Sequence, residues 1–351
     1  MATPAGKHGR MEPDTDRPPL IGFVTDLSTH TQFILQNQDH IRGLPFDGIT
    51  VHIPASWSQM SPGVVITAAE VHEWLDALTG FNDGMHNYLA LYIDDPGDLF
   101  DDAAWAQVAR NWEVIGTVAA QTGFTGILFD NEEYQGRWDN FPEDYEPDGA
   151  ARGLAAYQAK ASQRGRELMA ALARVMPQAD LAVAHGPYLS VPASPAQPAA
   201  ILLQAGDYDS QELSGPFFTG FLEGLGPDNS LTDAGELYAL RSAAEFQQSF
   251  DYRDQLLPDL IPWAVAPDAL ADWSVRVNQG HMIYTAEFPS GYTQTPDSFA
   301  KTLANAVTHS EGAVFVYTES DLFTWLDPDS LPAAWRAALQ QSVDMGAQAN
   351  P

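Results

Sequence analysis

The sequence alternates between short apolar runs and longer amphipathic stretches, which is the pattern of strands and helices that follow one another along a chain. The short runs are rich in Val, Ile, Leu, Phe and Tyr, as parallel strands covered on both faces are. They predict eight strands, at 20–25, 48–53, 88–93, 126–129, 180–184, 230–233, 282–285 and 313–317. The sixth is the weakest of these predictions, because 217–225 could also be a strand or a helix.

Helical stretches lie between these runs. The first of them carries Val71, Trp74, Leu75 and Leu78 on one stripe, which is the spacing of an amphipathic helix. The predicted helices are 67–78, 102–121, 150–175, 237–256, 298–309 and 332–345. Strands that alternate with helices in this way predict an α/β fold, a single (β/α)8 TIM barrel.

The length of 351 residues would allow two domains, but barrels of this kind often reach such a length as one. We therefore expect a disordered N-terminal lead at 1–18, a catalytic barrel at 19–346 and a tail at 347–351. The segment 186–229 is rich in Pro, Gly and Ser, and it predicts a long loop excursion after strand five. Long loops at the carboxyl ends of barrel strands usually shape the ligand cleft.

Composition narrows the function. The formal net charge is −31, which repels nucleic acid and anionic membranes, so neither is an expected partner. No apolar run is long enough to span a membrane, and the polar N-terminus does not resemble a signal peptide. Localisation stays open between cytoplasmic and secreted with the signal removed. Oligomeric state is also open.

Several chemistries lack their sequence signals. There are no cysteines, so disulfides and thiolate metal sites are excluded. Phosphate-binding glycine motifs and the Gly-x-Ser-x-Gly motif are absent, and so is His-Glu-x-x-His spacing. We therefore expect no nucleotide cofactor, no serine nucleophile and no metal.

Polar and aromatic residues stand directly after nearly every predicted strand. In a barrel of this type the chemistry collects at the carboxyl ends of the strands. In chain order the residues are Asp26; His52 and Trp57; Asp94 and Asp95; Asp130, Asn131, Glu132, Glu133 and Tyr134; His185 and Tyr188; Asp233, Glu236 and Tyr238; Tyr284 and Glu287; and Glu319 and Trp325.

The end of strand four is the strongest of these signals. The apolar run 126–129 changes without a spacer into Asp130, Asn131, Glu132 and Glu133. Carboxylates at the end of a buried strand repel one another and lose hydration, so chains that keep them there usually use them to move protons or to bind a polar ligand. The alternative is an acidic loop or helix N-terminus, where carboxylates suit the helix dipole.

Carboxylates together with aromatic rings are the composition of a carbohydrate site. Hydrolysis of a glycosidic bond needs two carboxyl groups beside it, one protonated and one ionised. Crowding carboxylates drives their pKa values apart. The sequence therefore predicts a glycoside hydrolase that acts on a poly- or oligosaccharide.

The end of strand four resembles two glycoside hydrolase patterns. Asn131-Glu132 with Glu287 is similar to the large retaining (β/α)8 clan, in which strand four ends in Asn-Glu and strand seven in Glu. That resemblance implies Glu132 as general acid/base, Asn131 on a sugar hydroxyl and Glu287 as nucleophile. Asp130-Asn131-Glu132 partly resembles the chitinase-like Asp-x-Asp-x-Glu pattern, with Leu128 at the first Asp. It implies Glu132 as acid, Asp130 as its partner and a substrate-assisted step.

The second carboxylate has two candidates. Glu236 could take the place of Glu287, although Glu236 could also belong to the first turn of the following helix. The expected catalytic residues are thus Glu132, Glu287, Glu236 and Asp130. The expected substrate-binding residues are Asn131, Tyr134, His185, Tyr188, Asp233, Tyr238, Asp26, His52, Trp57, Tyr284, Glu319 and Trp325.

Two other functions remain open. A metal-dependent barrel lyase or isomerase would use Asp130, Glu132, His185 and Glu236 as ligands. A non-catalytic barrel that binds carbohydrate would have lost one catalytic carboxylate.

Overall fold

The structure is a computed structural model. It describes residues 17–24, 31–52, 61, 63–93, 97–132, 149–202, 211–285, 294–318 and 323–349. Within these ranges, no helix has the length and apolar character needed to cross a membrane.

Nine parallel strands form one sheet. They are β1 (Leu20–Val24), β2 (Gly48–His52), β3 (Tyr88–Tyr92), β4 (Gly126–Asp130), β5 (Asp180–Val183), β6 (Ser230–Asp233), β7 (Val277–Gln279), β8 (His281–Tyr284) and β9 (Val314–Thr318). Their order in the sheet is β7-β6-β5-β4-β3-β2-β1-β9-β8. The two outermost strands, β7 and β8, follow each other in the chain, so the sheet curls into a barrel. The TIM-barrel prediction is confirmed.

The seventh barrel strand is divided at Gly280. Its first half, β7, pairs with β6, and its second half, β8, pairs with β9. The amide of Gly280 donates to the carbonyl of Asp233 at 2.8 Å and keeps the halves in line. A Cβ on Gly280 would lie 2.5 Å from the carbonyl oxygen of Ala313, which explains a glycine at this closing strand. The sequence predicted only the second half, because 277–279 has little apolar character.

Side chains alternate between the two faces of the barrel wall, as the period of a strand requires. In β4, Leu128 joins the inner core, while Ile127 and Phe129 join the outer core under the helices. In the lower interior, the carboxylate of Asp180 accepts hydrogen bonds from Tyr88, Ser230 and Thr232. The same alternation directs Asp130, at the top of β4, toward the interior.

The helices cover the outside of the barrel. The α-helices are Thr31–Gln36, Gln38–Arg42, Ala68–Leu75, Thr79–Asn82, Asp102–Gln121, Gly149–Arg152, Leu154–Val175, Ser214–Gly224, Ala243–Asp251, Leu257–Leu260, Pro267–Ala271, Trp273–Arg276, Pro296–Thr308 and Ala333–Ala349. Short 3₁₀ turns lie at Asp76–Leu78 and Pro187–Leu189, and a π-helical turn at Tyr252–Leu256.

One helix prediction needs correction, and one open alternative is resolved. The predicted helix 237–256 begins only at Ala243, because Ser242 forms a capping box with Glu245 and starts the helix there. The ambiguous segment 217–225 lies almost wholly in the helix Ser214–Gly224, so β6 is the sixth strand as predicted. This helix also divides the long excursion after β5, which is therefore not all loop.

Aromatic rings from the helices pack against β4. The ring of Phe129 contacts Trp112, Phe217 and Phe221 at centroid distances of 5.6, 6.1 and 5.6 Å. All four side chains are buried. Because buried aromatic side chains dominate core energetics, this packing holds the strand that ends at Asp130.

Replacing Gly280 with Ala tests the closure of the barrel. The added methyl group meets backbone on a neighbouring strand, so we expect Gly280→Ala to destabilise the protein by about 1–3 kcal/mol. Gly80→Ala is the matched control, since a Cβ there meets no atom within 4 Å. Urea unfolding measures both variants. Equal stability of the two would contradict this account of Gly280.

Candidate active site

Glu132 lies two residues beyond the end of β4, at the carboxyl end of the barrel. Its side chain is buried, with the residue 8% exposed. The backbone amide of Glu132 donates to the Asp130 carboxylate at 3.0 Å, which fixes the turn that follows the strand. The chain therefore turns just after Asp130 and places Glu132 beside the neighbouring strand ends.

Asn131 braces β4 against β5. Its side-chain oxygen accepts from the amide of His185 at 2.9 Å, and its side-chain nitrogen donates to the His185 carbonyl at 3.0 Å and to Ser214 at 2.8 Å. The side chain is thus engaged inside the protein at both ends. These contacts favour a role in positioning His185 and do not support the predicted contact with a sugar hydroxyl.

His185 follows β5 and is fully buried. Its Nε2 lies 3.4 Å from Glu132 Oε1 and 3.6 Å from Glu236 Oε2. Its Nδ1 lies 3.2 Å from the hydroxyl of Tyr188, which is also buried. We assign the Tyr188 hydroxyl as donor to Nδ1, because this leaves a proton on Nε2 to face the two carboxylates.

Glu236 reaches the same place from the end of β6. The chain between them turns at Gly235, whose φ of 59° lies in the left-handed region. The helix that follows begins at Ala243, so the alternative interpretation of Glu236 as part of a helical first turn is wrong. Tyr238 donates its hydroxyl to Glu236 Oε1 at 2.5 Å and leaves Oε2 on the side of His185.

A buried ion pair between Arg253 and Asp233 stabilises the turn at Gly235. Arg253, from the π-helical turn, lies 3.3 Å from the Asp233 carboxylate and donates to the Gly280 carbonyl at 2.9 Å. Both charged side chains are fully buried. Asp233, predicted to bind substrate, therefore has its charge paired inside the wall. It contributes to the site by holding the loop that carries Glu236.

The reactive groups of the site are the side chains of Glu132, His185 and Glu236. Within the described part of the chain, only these three offer a group of His and carboxylate atoms that all lie within 4.8 Å of one another. They come from the ends of β4, β5 and β6, which are neighbours in the sheet. Side chains distant in sequence thus meet as the barrel topology predicts.

Burial and mutual repulsion shift the carboxyl groups toward their neutral forms. Desolvation, and then the charges of Glu132 and Asp130, raise the pKa of Glu236 well above its usual range, although the Tyr238 hydrogen bond opposes the shift. Desolvation and the Glu132 charge likewise raise the pKa of Asp130. Burial also raises the pKa of Asp233, since desolvation outweighs the nearby Arg253. Glu236 therefore keeps a proton to higher pH than an exposed glutamic acid.

An arc of aromatic rings continues from Glu236 around the inner wall. Tyr238 contacts Tyr284, and Tyr284 contacts Tyr317, both at 5.2 Å between ring centroids. Tyr317 contacts Phe23 at 5.0 Å, and Phe23 stacks on His52 at 5.7 Å. Burial lowers the pKa of His52 to about 4, so this imidazole is neutral near pH 7. The arc brings together three predicted site residues, Tyr238, Tyr284 and His52.

Other predicted residues lie elsewhere or are not described. Trp325 is fully buried in the outer core, where it packs on Phe46, Phe299 and Phe323 and donates to Thr285. It is a packing residue in this structure. Outside the described residues lie Asp26, Trp57, Asp94, Asp95, Glu133, Tyr134, Glu287 and Glu319. Their predicted roles stay predictions.

Three residues of the site escaped the sequence analysis. Arg253 and Ser214 lie on helices or turns behind the strand ends, so reading only the residues after each strand could not find them. Tyr317 was within reach, because it belongs to a predicted strand and its inward position follows from strand alternation.

Comparison with known proteins supports the fold. No protein-family model matches the sequence, and no curated protein matches it. Among solved structures, an exo-β-1,4-mannosidase from Opitutaceae bacterium strain TAV5 is similar, with a TM-score of 0.52 at 13% identity over 94% of this chain. This chain covers 60% of the mannosidase chain.

A second solved structure is similar over nearly the whole of both chains. It is active domain 2 of a thermostable chitinase from Pyrococcus furiosus, with a TM-score of 0.50 at 10% identity, and it covers 95% of this chain and 97% of that one. At such low identity, the likeness of both structures concerns the fold. The chain has the TIM-barrel fold that these glycoside hydrolases also have.

The raised pKa of Glu236 has a consequence for stability. The folded state favours the protonated form, so the fold loses stability as pH rises from the unfolded value toward the raised one. We expect Glu236→Gln, which cannot ionise, to stabilise the protein at pH 8, by about 1.4 kcal/mol for each unit of the shift. The gain should shrink as pH falls to 5.

Thermal melts at both pH values measure this difference. Glu73→Gln, at an exposed helical position, is the control and should show no such pH-dependent gain. A Glu236→Gln variant that is destabilised equally at pH 5 and pH 8 would contradict the account.

Proposed function

We propose that the protein is a glycoside hydrolase that cleaves a poly- or oligosaccharide with Glu132 and Glu236 as its carboxyl pair. The proposal rests on these two buried carboxyl groups, which lie at the carboxyl end of the TIM barrel. One carboxylate oxygen of Glu132 and one of Glu236 lie within 4.8 Å of each other. Such a pair matches the requirement of glycoside hydrolysis for two carboxyl groups beside the bond.

The protonation of Glu236 suggests how the two groups divide the work. Glu236 has the raised pKa, so it is suited to protonate the oxygen of the leaving sugar. Glu132 is then the partner that attacks or stabilises the anomeric carbon. This assignment reverses the roles implied by the resemblance, in which Glu132 is the acid. Glu287 remains an alternative second carboxylate, but Glu236 has the geometric support.

The short distance favours retention of configuration. In retaining enzymes the two carboxyl groups are about 5–5.5 Å apart, whereas inverting enzymes need about 6.5–9.5 Å to admit a water molecule. A separation of at most 4.8 Å between the closest atoms fits the first class. In this mechanism Glu132 forms a glycosyl intermediate, and Glu236 then removes a proton from the attacking water.

The surroundings suit a sugar substrate. The aromatic arc places apolar ring faces beside Glu236, and Asp130 lies near both glutamates. Sugars combine apolar ring faces with hydroxyl groups, so both kinds of surface can be used. Mannan and chitin oligosaccharides are the first substrates to test, because the two similar structures are a mannosidase and a chitinase.

A metal-dependent lyase or isomerase is a second candidate, because the same three side chains have the composition of a metal site. The two functions respond oppositely to chelation. A hydrolase that works through its carboxyl pair keeps its activity in a chelator, whereas a metal-dependent enzyme loses it.

Isosteric amide variants test the carboxyl pair. We expect Glu132→Gln and Glu236→Gln each to lower kcat on oligosaccharides by about 10²–10⁴-fold or more, since each removes one half of the acid–base chemistry. Activated aryl glycosides separate the roles. A dinitrophenyl group leaves without protonation, so Glu236→Gln should still release one equivalent per chain in a rapid burst and then slow down, because the base for the second step is missing. Glu132→Gln should show no burst.

Glu73→Gln is the matched control and should turn over like the wild type. Proton NMR of the first product formed should show the anomer of the substrate. Wild-type turnover by Glu132→Gln or Glu236→Gln would overturn the proposal. The reverse pattern on the aryl glycoside would keep the pair but restore Glu132 as the acid.

A further inference from the structure

We propose that Glu132, His185 and Glu236 also bind a divalent transition-metal ion of the Zn²⁺ class, and that the bound ion inhibits hydrolysis. The inhibition rests on the proposed function, since a metal on both carboxylates would withdraw the acid and its partner together. Metal binding itself rests only on the three side chains and their geometry.

The distances fit a tetrahedral ion. Zinc bonds of about 2.1 Å to nitrogen and oxygen place neighbouring ligand atoms about 3.4 Å apart. His185 Nε2 lies 3.4 Å from Glu132 Oε1 and 3.6 Å from Glu236 Oε2. These two edges already have the required length. The remaining edge, between the two glutamates, needs at most a small rotation of one side chain.

Two of the three ligands, His185 and Glu236, are also held by neighbours, as metal ligands usually are. The Tyr188 hydroxyl contacts His185 Nδ1, and its oxygen can accept a hydrogen bond from Nδ1–H once Nε2 binds a metal. Tyr238 binds Glu236 Oε1 and leaves Oε2 to act as ligand. Asn131 fixes the His185 backbone. The site is therefore largely preorganised.

The donor set selects the type of ion. One imidazole with two carboxylates suits zinc and its neighbours in the transition series, whereas Mg²⁺ prefers an all-oxygen octahedron and Ca²⁺ takes six to eight oxygens. Three protein ligands leave a fourth position for water. A cation would also relieve the repulsion between the buried glutamates, which adds to the desolvation cost of burying them.

Calorimetric titration of the metal-stripped, tag-free full chain with Zn²⁺ tests the site. We expect one ion per chain, with Mg²⁺ bound far more weakly. His185→Gln should raise the Kd by at least about 100-fold, because losing even a supporting residue costs about 10–100-fold. Glu236→Gln should raise the Kd to a similar extent. Because it changes a different ligand, the same loss in both variants would show that misfolding of the histidine variant is not the cause.

His72→Gln is the matched control. His72 forms an exposed pair with Asp76, at 2.6 Å, of the kind that binds metal adventitiously. We expect this variant to bind Zn²⁺ like the wild type. Zinc binding that survives both His185→Gln and Glu236→Gln, or that disappears in His72→Gln, would overturn the proposed site. Absence of zinc binding by the wild type would overturn it as well.

Activity with and without Zn²⁺ separates this proposal from the proposed function. Inhibition of the wild type at the zinc concentration that fills the site is the expected result. Zinc that binds at the site and activates the enzyme would preserve the site and overturn the carboxyl-pair hydrolase. Zinc that fills the site without affecting hydrolysis would overturn the inhibition.

Discussion

The central constraint on the structure is that three carboxyl groups lie close together in a mostly buried site. Asp130, Glu132 and Glu236 meet at the mouth of the barrel, where burial and repulsion from neighbouring carboxylates oppose the ionisation of Asp130 and Glu236. Such a cluster lowers the stability of the fold at neutral pH. The same cost gives the site its chemical use, because a carboxyl group that keeps its proton near neutral pH can donate it.

The surrounding fold offsets this cost by fixing each group from outside the cleft. Asn131 joins the ends of β4 and β5, and Tyr238 donates to Glu236. Behind them, Arg253 pairs with Asp233 and ties the loop after β6 to Gly280. Aromatic packing on Phe129 holds β4 from the other side. Rigid placement of this kind is what acid–base chemistry and metal binding both require.

The sequence predicted the barrel well because apolar runs and helical stripes repeat along it. It missed the strand half Val277–Gln279 and the late helix start at Ala243, which depend on tertiary pairing and a capping box. Within the site, Glu132, His185 and Glu236 were all predicted from their places after strands. The choice between Glu236 and Glu287 as the partner of Glu132 stayed open, because it depends on side-chain directions in three dimensions. Trp325 was predicted to bind substrate but lies in the outer core. A tryptophan after a strand can belong to a core or to a cleft, and the sequence does not distinguish the two.

The protonation of Glu236 is the quantity on which the account depends most directly. Carbon NMR of protein labelled at the glutamate carboxyl carbons can follow it, with Glu236→Gln to assign the signal. We expect one glutamate to titrate well above pH 4.5, and its pKa to fall when Glu132→Gln removes the neighbouring charge. A Glu236 signal that titrates in the usual range, and does not respond to Glu132→Gln, would contradict the account.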